Sequence, residues 1–401
     1  IVRWESSTNN FASKTNITNT TTTQAYSNIT TTTKYRAVLK SGVCTGTNSS
    51  EVTLTVNPAT VGGSISSNAT VCSGSNSGTL TLSGHTGSIV RWERSTNNFA
   101  SKTNIANTTI TQAYSNITTT TKYRAVVQSG ACASANSAEV IITVDPVTVG
   151  GTISSNASVC LGSNSGTLTL SGHTGGIVRW ESSTDNFTST TNIVNATTTQ
   201  AYTNLTTTTK YRAVLQSGVC SSSNSSEVTI TVDPASVGGS ISANATVCSG
   251  SNSGTLTLSG HTGSIVRWES STNNFTTTTN IVNATTTQAY SNITTTTKYR
   301  AVVQSGACAS TNASEVTITV DPATVGGTLS TNASVCSGSN SGTLTLSGHT
   351  GSIVRWESST DNFATTTNIV NATTTQVYTN LITTTKYRVC LLYTSDAADD
   401  S

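Results

Sequence analysis

Nine cysteines are the residues of this chain best equipped to do chemistry: Cys44, Cys72, Cys132, Cys160, Cys220, Cys248, Cys308, Cys336 and Cys390. From Cys44 to Cys336 the intervals alternate between 28 and 60 residues. Thiols in such a pattern can pair by oxidation or, as thiolates, hold a metal. No Cys-x-x-Cys occurs and no cysteine has a histidine at ligand spacing, so the pattern does not read as a zinc or redox site. Oxidation leaves two pairings open, one joining cysteines 60 residues apart and one joining those 28 apart, such as Cys44 with Cys72. Paired cysteines imply an oxidising, extracytoplasmic compartment.

The other reactive side chains assemble into nothing larger. His85, His173, His261 and His349 each sit in a glycine-flanked turn, one per repeat, without a second histidine, cysteine or carboxylate nearby. They read as loop residues, because a general base needs a partner within hydrogen-bond reach. Arg91 and Glu93 read as a solvated cross-strand pair. Asp145, Asp233 and Asp321, with Asn57 in the equivalent earlier place, supply at most one carboxylate each, too few for calcium. No nucleophile, base and orienting group can be grouped, and no phosphate loop is present; no catalysis, cofactor or metal is expected. Only 9% of the residues are charged and the net charge is +2, so nucleic acid and anionic membranes are not expected partners. The threonine runs, such as Thr30–Thr33 and Thr118–Thr121, read as turn and exposed-strand residues, and Asn116-Ile-Thr follows from composition.

These residues are carried on a repeat. Trp4, Trp92, Trp180, Trp268 and Trp356 are spaced 88 residues apart, and a fixed period sets the architecture. Each tryptophan lies in the alternating run I-V-R-W-E, which reads as a half-buried strand with Val90 and Trp92 inward and Arg91 and Glu93 outward. In the second repeat, Ser64–Cys72 reads as one strand, followed by GTLTLSG with Leu80 and Leu82 inward, then the tryptophan strand. An irregular stretch from Asn97 to Thr109 with one short strand comes next. Tyr114 and Ile117 follow, then Tyr123, Ala125 and Val127 on one face, then Val140, Ile142 and Val144. About seven strands with turns every 8–12 residues make an all-β, two-sheet sandwich. Asp145-Pro146 ends the last strand, since proline cannot donate to a ladder. The expected domains are a partial repeat at 1–60, whole repeats at 61–148, 149–236 and 237–324, and a partial repeat at 325–389. Ile1 aligns with Ile89, so the chain reads as an internal fragment; no stretch approaches the roughly 20 apolar residues of a membrane span.

At YSNITTTTKYRA the chain resembles the E–F corner of immunoglobulin-like domains, with Tyr123 in the tyrosine-corner place and Ala125 where antibody domains carry a cysteine. The whole unit, VCSGSNSGTLTLSG, RWE, TTTTKYRAVVQSGAC and EVIITV, is similar to the Ig-like repeats of very large bacterial secreted and surface proteins, a type associated with gliding-motility and type IX secretion C-terminal domains. The resemblance covers residues 1 to about 389 and implies a tandem array of Ig-like sandwiches. It places Trp4, Trp92, Trp180, Trp268, Trp356, Tyr123, Tyr211 and Tyr299 in the cores. In such a sandwich the cysteine before strand B and that after strand F are expected at one end, favouring Cys72–Cys132, Cys160–Cys220 and Cys248–Cys308. The same interval from Cys336 lands on Asp396. The implied role is an extracellular stalk, acting as a spacer or a multivalent weak binder of a surface ligand or glycan, with neighbouring repeats as partners in cis. The alternatives are a linker array on a secreted polymer-degrading enzyme, or carbohydrate-binding modules. The final CLLYTSDAADDS, Cys390 to Ser401, abandons the repeat and resembles a translated sequencing adapter.

Overall fold

A computed structural model describes residues 1–392 of the chain. The described residues contain strands, turns and loops and no helix. The second repeat shows the plan of every whole unit. One sheet places its strands in the order Thr103–Ile105, Ser88–Ser95, Thr121–Gln128, Val140–Asp145 and Ala69–Cys72, with Ala135–Asn136 also pairing onto Thr121–Gln128. The facing sheet runs Thr111–Ser115, Ser77–Ser83, Ser64–Ile65. The third and fourth repeats copy both sheets. The chain is an all-β array of repeated Ig-like sandwiches.

The opening strand departs from its expected course. Ser64–Ile65 pairs antiparallel with Ser77–Ser83 in the small sheet, whereas Ala69–Cys72 crosses to the large sheet and pairs parallel with Val140–Asp145. The crossover, Ser66-Ser67-Asn68, is short and polar, and Asn68 Oδ1 accepts the Ile141 amide at 2.8 Å. That bond occupies a donor of the closing strand where the crossing chain leaves it unpaired. The parallel register sets Cys72 beside Asp145, at the end where the chain leaves the repeat.

Alternation fills the space between the sheets. Leu80, Leu82, Ile89, Trp92, Tyr123, Ala125, Val127, Val140 and Ile142 form one buried cluster. Ala125 stands directly across the ladder from Trp92, and its small side chain leaves room for the indole. The indole is fully buried, yet its Nε1–H donates to the Thr109 carbonyl at 3.0 Å, so no donor is stranded. Trp180, Trp268 and Trp356 are also wholly buried, as are Tyr123, Tyr211 and Tyr299 to within a few per cent. Trp4 differs: it is half-buried, because nothing in the described chain supplies the facing sheet of the first repeat.

Val90 does not share the face of Trp92. The register opposite slips between Val126, which meets Arg91, and Val127, which meets Ile89. That β-bulge inserts one residue, so Ile89 and Trp92 point inward with two residues between them. Val90 is left 41% exposed, as are its counterparts Val178, Val266 and Val354 to similar degrees. Trp92→Ala is expected to lower the opening free energy of the second repeat by about 3–5 kcal/mol, the range for emptying a large aromatic core site. Hydrogen exchange at Leu80 and Tyr123 measures it, and unchanged protection there would place the indole outside the core.

Candidate functional site at the joint between repeats

Where one repeat follows another, the end of the closing strand docks on a turn of its successor. Thr209–Gln216 of the third repeat ends in the turn Ser217-Gly218-Val219-Cys220, closed by the Cys220 amide on the Ser217 carbonyl at 2.9 Å. Asp145 of the preceding repeat accepts the Val219 amide at 2.9 Å, and Thr148 Oγ1 accepts the Ser217 amide at 3.0 Å. Gly218 adopts φ +48°, and a Cβ there would lie 1.9 Å from Asp145 Oδ2. Only glycine allows this approach. The next joint repeats the arrangement, with Asp233 accepting the Ala307 amide at 2.8 Å and Ser236 Oγ accepting the Ser305 amide at 2.9 Å.

Two disulfides cross these joints. Cys72 bonds to Cys220 and Cys160 to Cys308, each across 148 residues, with Cα atoms 4.9 and 4.7 Å apart. This corrects the expected pairs Cys72–Cys132, Cys160–Cys220 and Cys248–Cys308. Cys72 lies beside Asp145 at the trailing end of its repeat, whereas Cys132 follows Thr121–Gln128, whose last residues run toward the leading end. The two cysteines of one repeat therefore face opposite neighbours. Cys132 belongs to the first joint, where its Sγ lies 3.5 Å from the Pro58 carbonyl oxygen and Ser129 donates to Thr60 Oγ1 at 3.1 Å. That joint also sets Gly130 against the side chain of Asn57, and the 148-residue interval of the two bridges runs back from Cys132 beyond Ile1. Position 396, matched to Cys336 by the 60-residue interval, lies outside the described residues; so does the tail beyond Leu392, while Cys390–Leu392 continues the last strand.

The remaining candidates stay apart. His85, His173 and His261 sit in turns beside the joints, where Val61 and Thr86 bridge and a Cβ on Gly63 would meet the His85 amide at 2.9 Å, whereas His349 ends the strand Ser341–His349. Among the described residues no group of three His, Cys, Asp or Glu side chains could hold a metal ion.

Glu93 is not a solvated partner of Arg91. It is fully buried on the outer face of the large sheet, where it accepts Arg91 Nε at 2.8 Å, Lys102 Nζ at 2.6 Å and Arg124 Nε at 2.8 Å. Burial works to raise its pKa, and the hydrogen bonds from Lys102, Arg91 and Arg124 outweigh it, leaving the carboxyl at about 2. The Arg124 guanidinium also lies over the Phe99 ring, 4.0 Å from its centroid. Asn98 and Phe99 are held at φ +57° and +61°, a region that asparagine tolerates and that is costly for phenylalanine. Ser95 Oγ fixes that turn by accepting the Asn97 and Phe99 amides at 3.2 and 2.9 Å. The recurrent S-T-N/D-N-F was the sequence signal for this turn. In the third and fourth repeats threonine replaces the lysine, and Glu181 and Glu269 are still held low: burial raises them, and two arginines each outweigh it.

Comparison with known proteins places the chain. A domain of unknown function, DUF8696, matches residues 1–58, 61–146, 149–234, 237–322 and 325–398. The chain belongs to this family. No curated protein matches the chain. Among solved structures, titin domains A168–A170 are 14% identical, covering 66% of this chain and 99% of theirs, with a TM-score of 0.33. Sidekick-1 immunoglobulin domains 1–4 are 12% identical, covering 80% and 90%, with a TM-score of 0.30. The extracellular domains 3–5 of Drosophila OTK are 11% identical, covering 66% and 100%, with a TM-score of 0.23. Similarity this low says nothing of the role of the DUF8696 repeats.

Glu93→Gln is expected to destabilise the second repeat by about 1.5–3 kcal/mol at pH 7, since it weakens hydrogen bonds between charged groups. The folded pKa lies below the unfolded one, so the carboxylate stabilises above about pH 5 and that contribution is lost as pH falls toward 2. Unfolding of both proteins across that range should show the gap closing with acid; a gap independent of pH would show that ionised Glu93 stabilises nothing.

Proposed function

We propose that this chain is a spacer segment of the stalk of a large secreted or surface-attached bacterial protein, without catalytic activity of its own. Residues 61–148, 149–236 and 237–324 serve as its whole modules, flanked by 1–60 and 325–389. The observation that carries the reading is the joint: each of two successive joints combines a docked turn, an aspartate accepting an amide of the next repeat, and a disulfide. A chain with a catalytic or recognition site within each module has no need to fix the direction of its neighbour. A spacer does. Disulfides support an extracellular location, since they persist in oxidising compartments. The surface, made largely of threonine, serine and asparagine, suits an array that stays soluble with few charges.

Strands of about 6–8 residues at roughly 3.3 Å each, plus the end loops, put one module at about 30–40 Å in length, so three in line span about 100 Å. Small-angle scattering of the oxidised chain, with and without EDTA, is expected to give a radius of gyration above about 35 Å. A compact globule of this length would give about 21 Å. The value should not respond to calcium removal, and a compact or calcium-dependent particle would overturn the spacer reading.

A further inference from the structure

The two bridges have a mechanical consequence that the fold of a single repeat does not show. In sequence they interleave: Cys72 pairs past Cys160 to Cys220, and Cys160 pairs past Cys220 to Cys308. A pull along the chain therefore meets two covalent routes at each bridged joint, one through the backbone and one through sulfur. At the joint after the second repeat both routes start from the same place. Asp145 and Cys72 are register partners on parallel strands, so tension is divided between two strands laced together by ladder hydrogen bonds. The third repeat repeats this at Asp233 and Cys160. The receiving sulfurs are shielded, since Cys220 and Cys308 are each 2% exposed within the docked turn.

We propose that the interleaved bridges make the array a tension-limiting tether, in which covalent routes carry force past most of two repeats. The shortest covalent path from Cys72 to Cys308 crosses to Cys220, runs back to Cys160 and crosses again. It includes only the segment between Cys160 and Cys220, so residues 73–159 and 221–307 lie off the path. Unfolding of those segments cannot lengthen the chain while the bridges hold. Pulled to full extension, the oxidised chain is shorter than the reduced one by about 176 residues, or about 600 Å at roughly 3.4 Å per residue. The proposal builds on the stalk reading, yet the two fail separately: scattering reports shape at rest, and pulling reports connectivity under force.

The test is single-molecule stretching of the full chain held by its two ends, oxidised and then reduced. The expected result is a fully stretched length about 600 Å greater after reduction. Cys132→Ser should leave the oxidised length unchanged. Cys220→Ser leaves only the Cys160–Cys308 bridge and should lengthen the oxidised chain by about 28 residues, close to 95 Å. Equal lengths before and after reduction would overturn the proposal. So would a gain of about 60 residues, some 200 Å, in Cys132→Ser, because only a bridge closed inside the second repeat produces it. An unchanged length in Cys220→Ser would count equally against it.

Discussion

Most of this architecture depends on one short parallel ladder, Ala69–Cys72 against Val140–Asp145. A sandwich whose first strand stayed in the small sheet would leave its cysteine away from the closing strand. Once the chain crosses at Ser66-Ser67-Asn68, Cys72 is carried to the trailing end beside Asp145, and Asp145 is the residue that receives the next repeat. The disulfide is then a neighbour of the docking contact. Closing a 148-residue loop stabilises by about 5 kcal/mol on the chain-entropy account, before any strain is subtracted. That stabilisation is shared by two repeats instead of confined to one.

Docking rests on more than the sulfur bond. The joint at Asn57 keeps the close approach, with a Cβ on Gly130 set to collide with the Asn57 side chain and Ser129 donating to Thr60 Oγ1. At the bridged joints the turn is seated by backbone amides, a hydroxyl and a glycine, with the sulfur bond beside them. In a chain of near-identical units, exposed segments of neighbours can exchange during folding. A cysteine placed beside the docking contact favours the pairing of adjacent repeats.

Much of a single repeat was legible in sequence. The tryptophan period, the inward Leu80 and Leu82, and the Tyr123, Ala125, Val127 face all follow from simple alternation, and the structure buries each of them. Alternation misleads at Val90, because a bulge adds a residue and reverses the faces before it. It also sent Glu93 to solvent, when the long cations Arg91, Lys102 and Arg124 fold over the outer face of the sheet and cover it. Trp4 is half-buried because core position is a property of two sheets, and the described residues of the first repeat supply only one. The cysteine pairing was hidden most deeply. Spacing along the chain gives intervals, and the decisive quantity was the end of the sandwich at which each thiol emerges. A parallel partner for the opening strand decides that, and no local residue pattern marks it.

The central claim, that disulfides join successive repeats and not the two ends of one, has a direct test in non-reducing peptide mapping of the oxidised chain. Cleavage after glutamate suits it, because Glu51, Glu93, Glu139, Glu181, Glu227, Glu269 and Glu315 isolate the cysteines from Cys72 to Cys308 on separate peptides. The account predicts crosslinked peptides carrying Cys72 with Cys220 and Cys160 with Cys308. A dominant peptide joining Cys72 to Cys132, or Cys160 to Cys220, would contradict it.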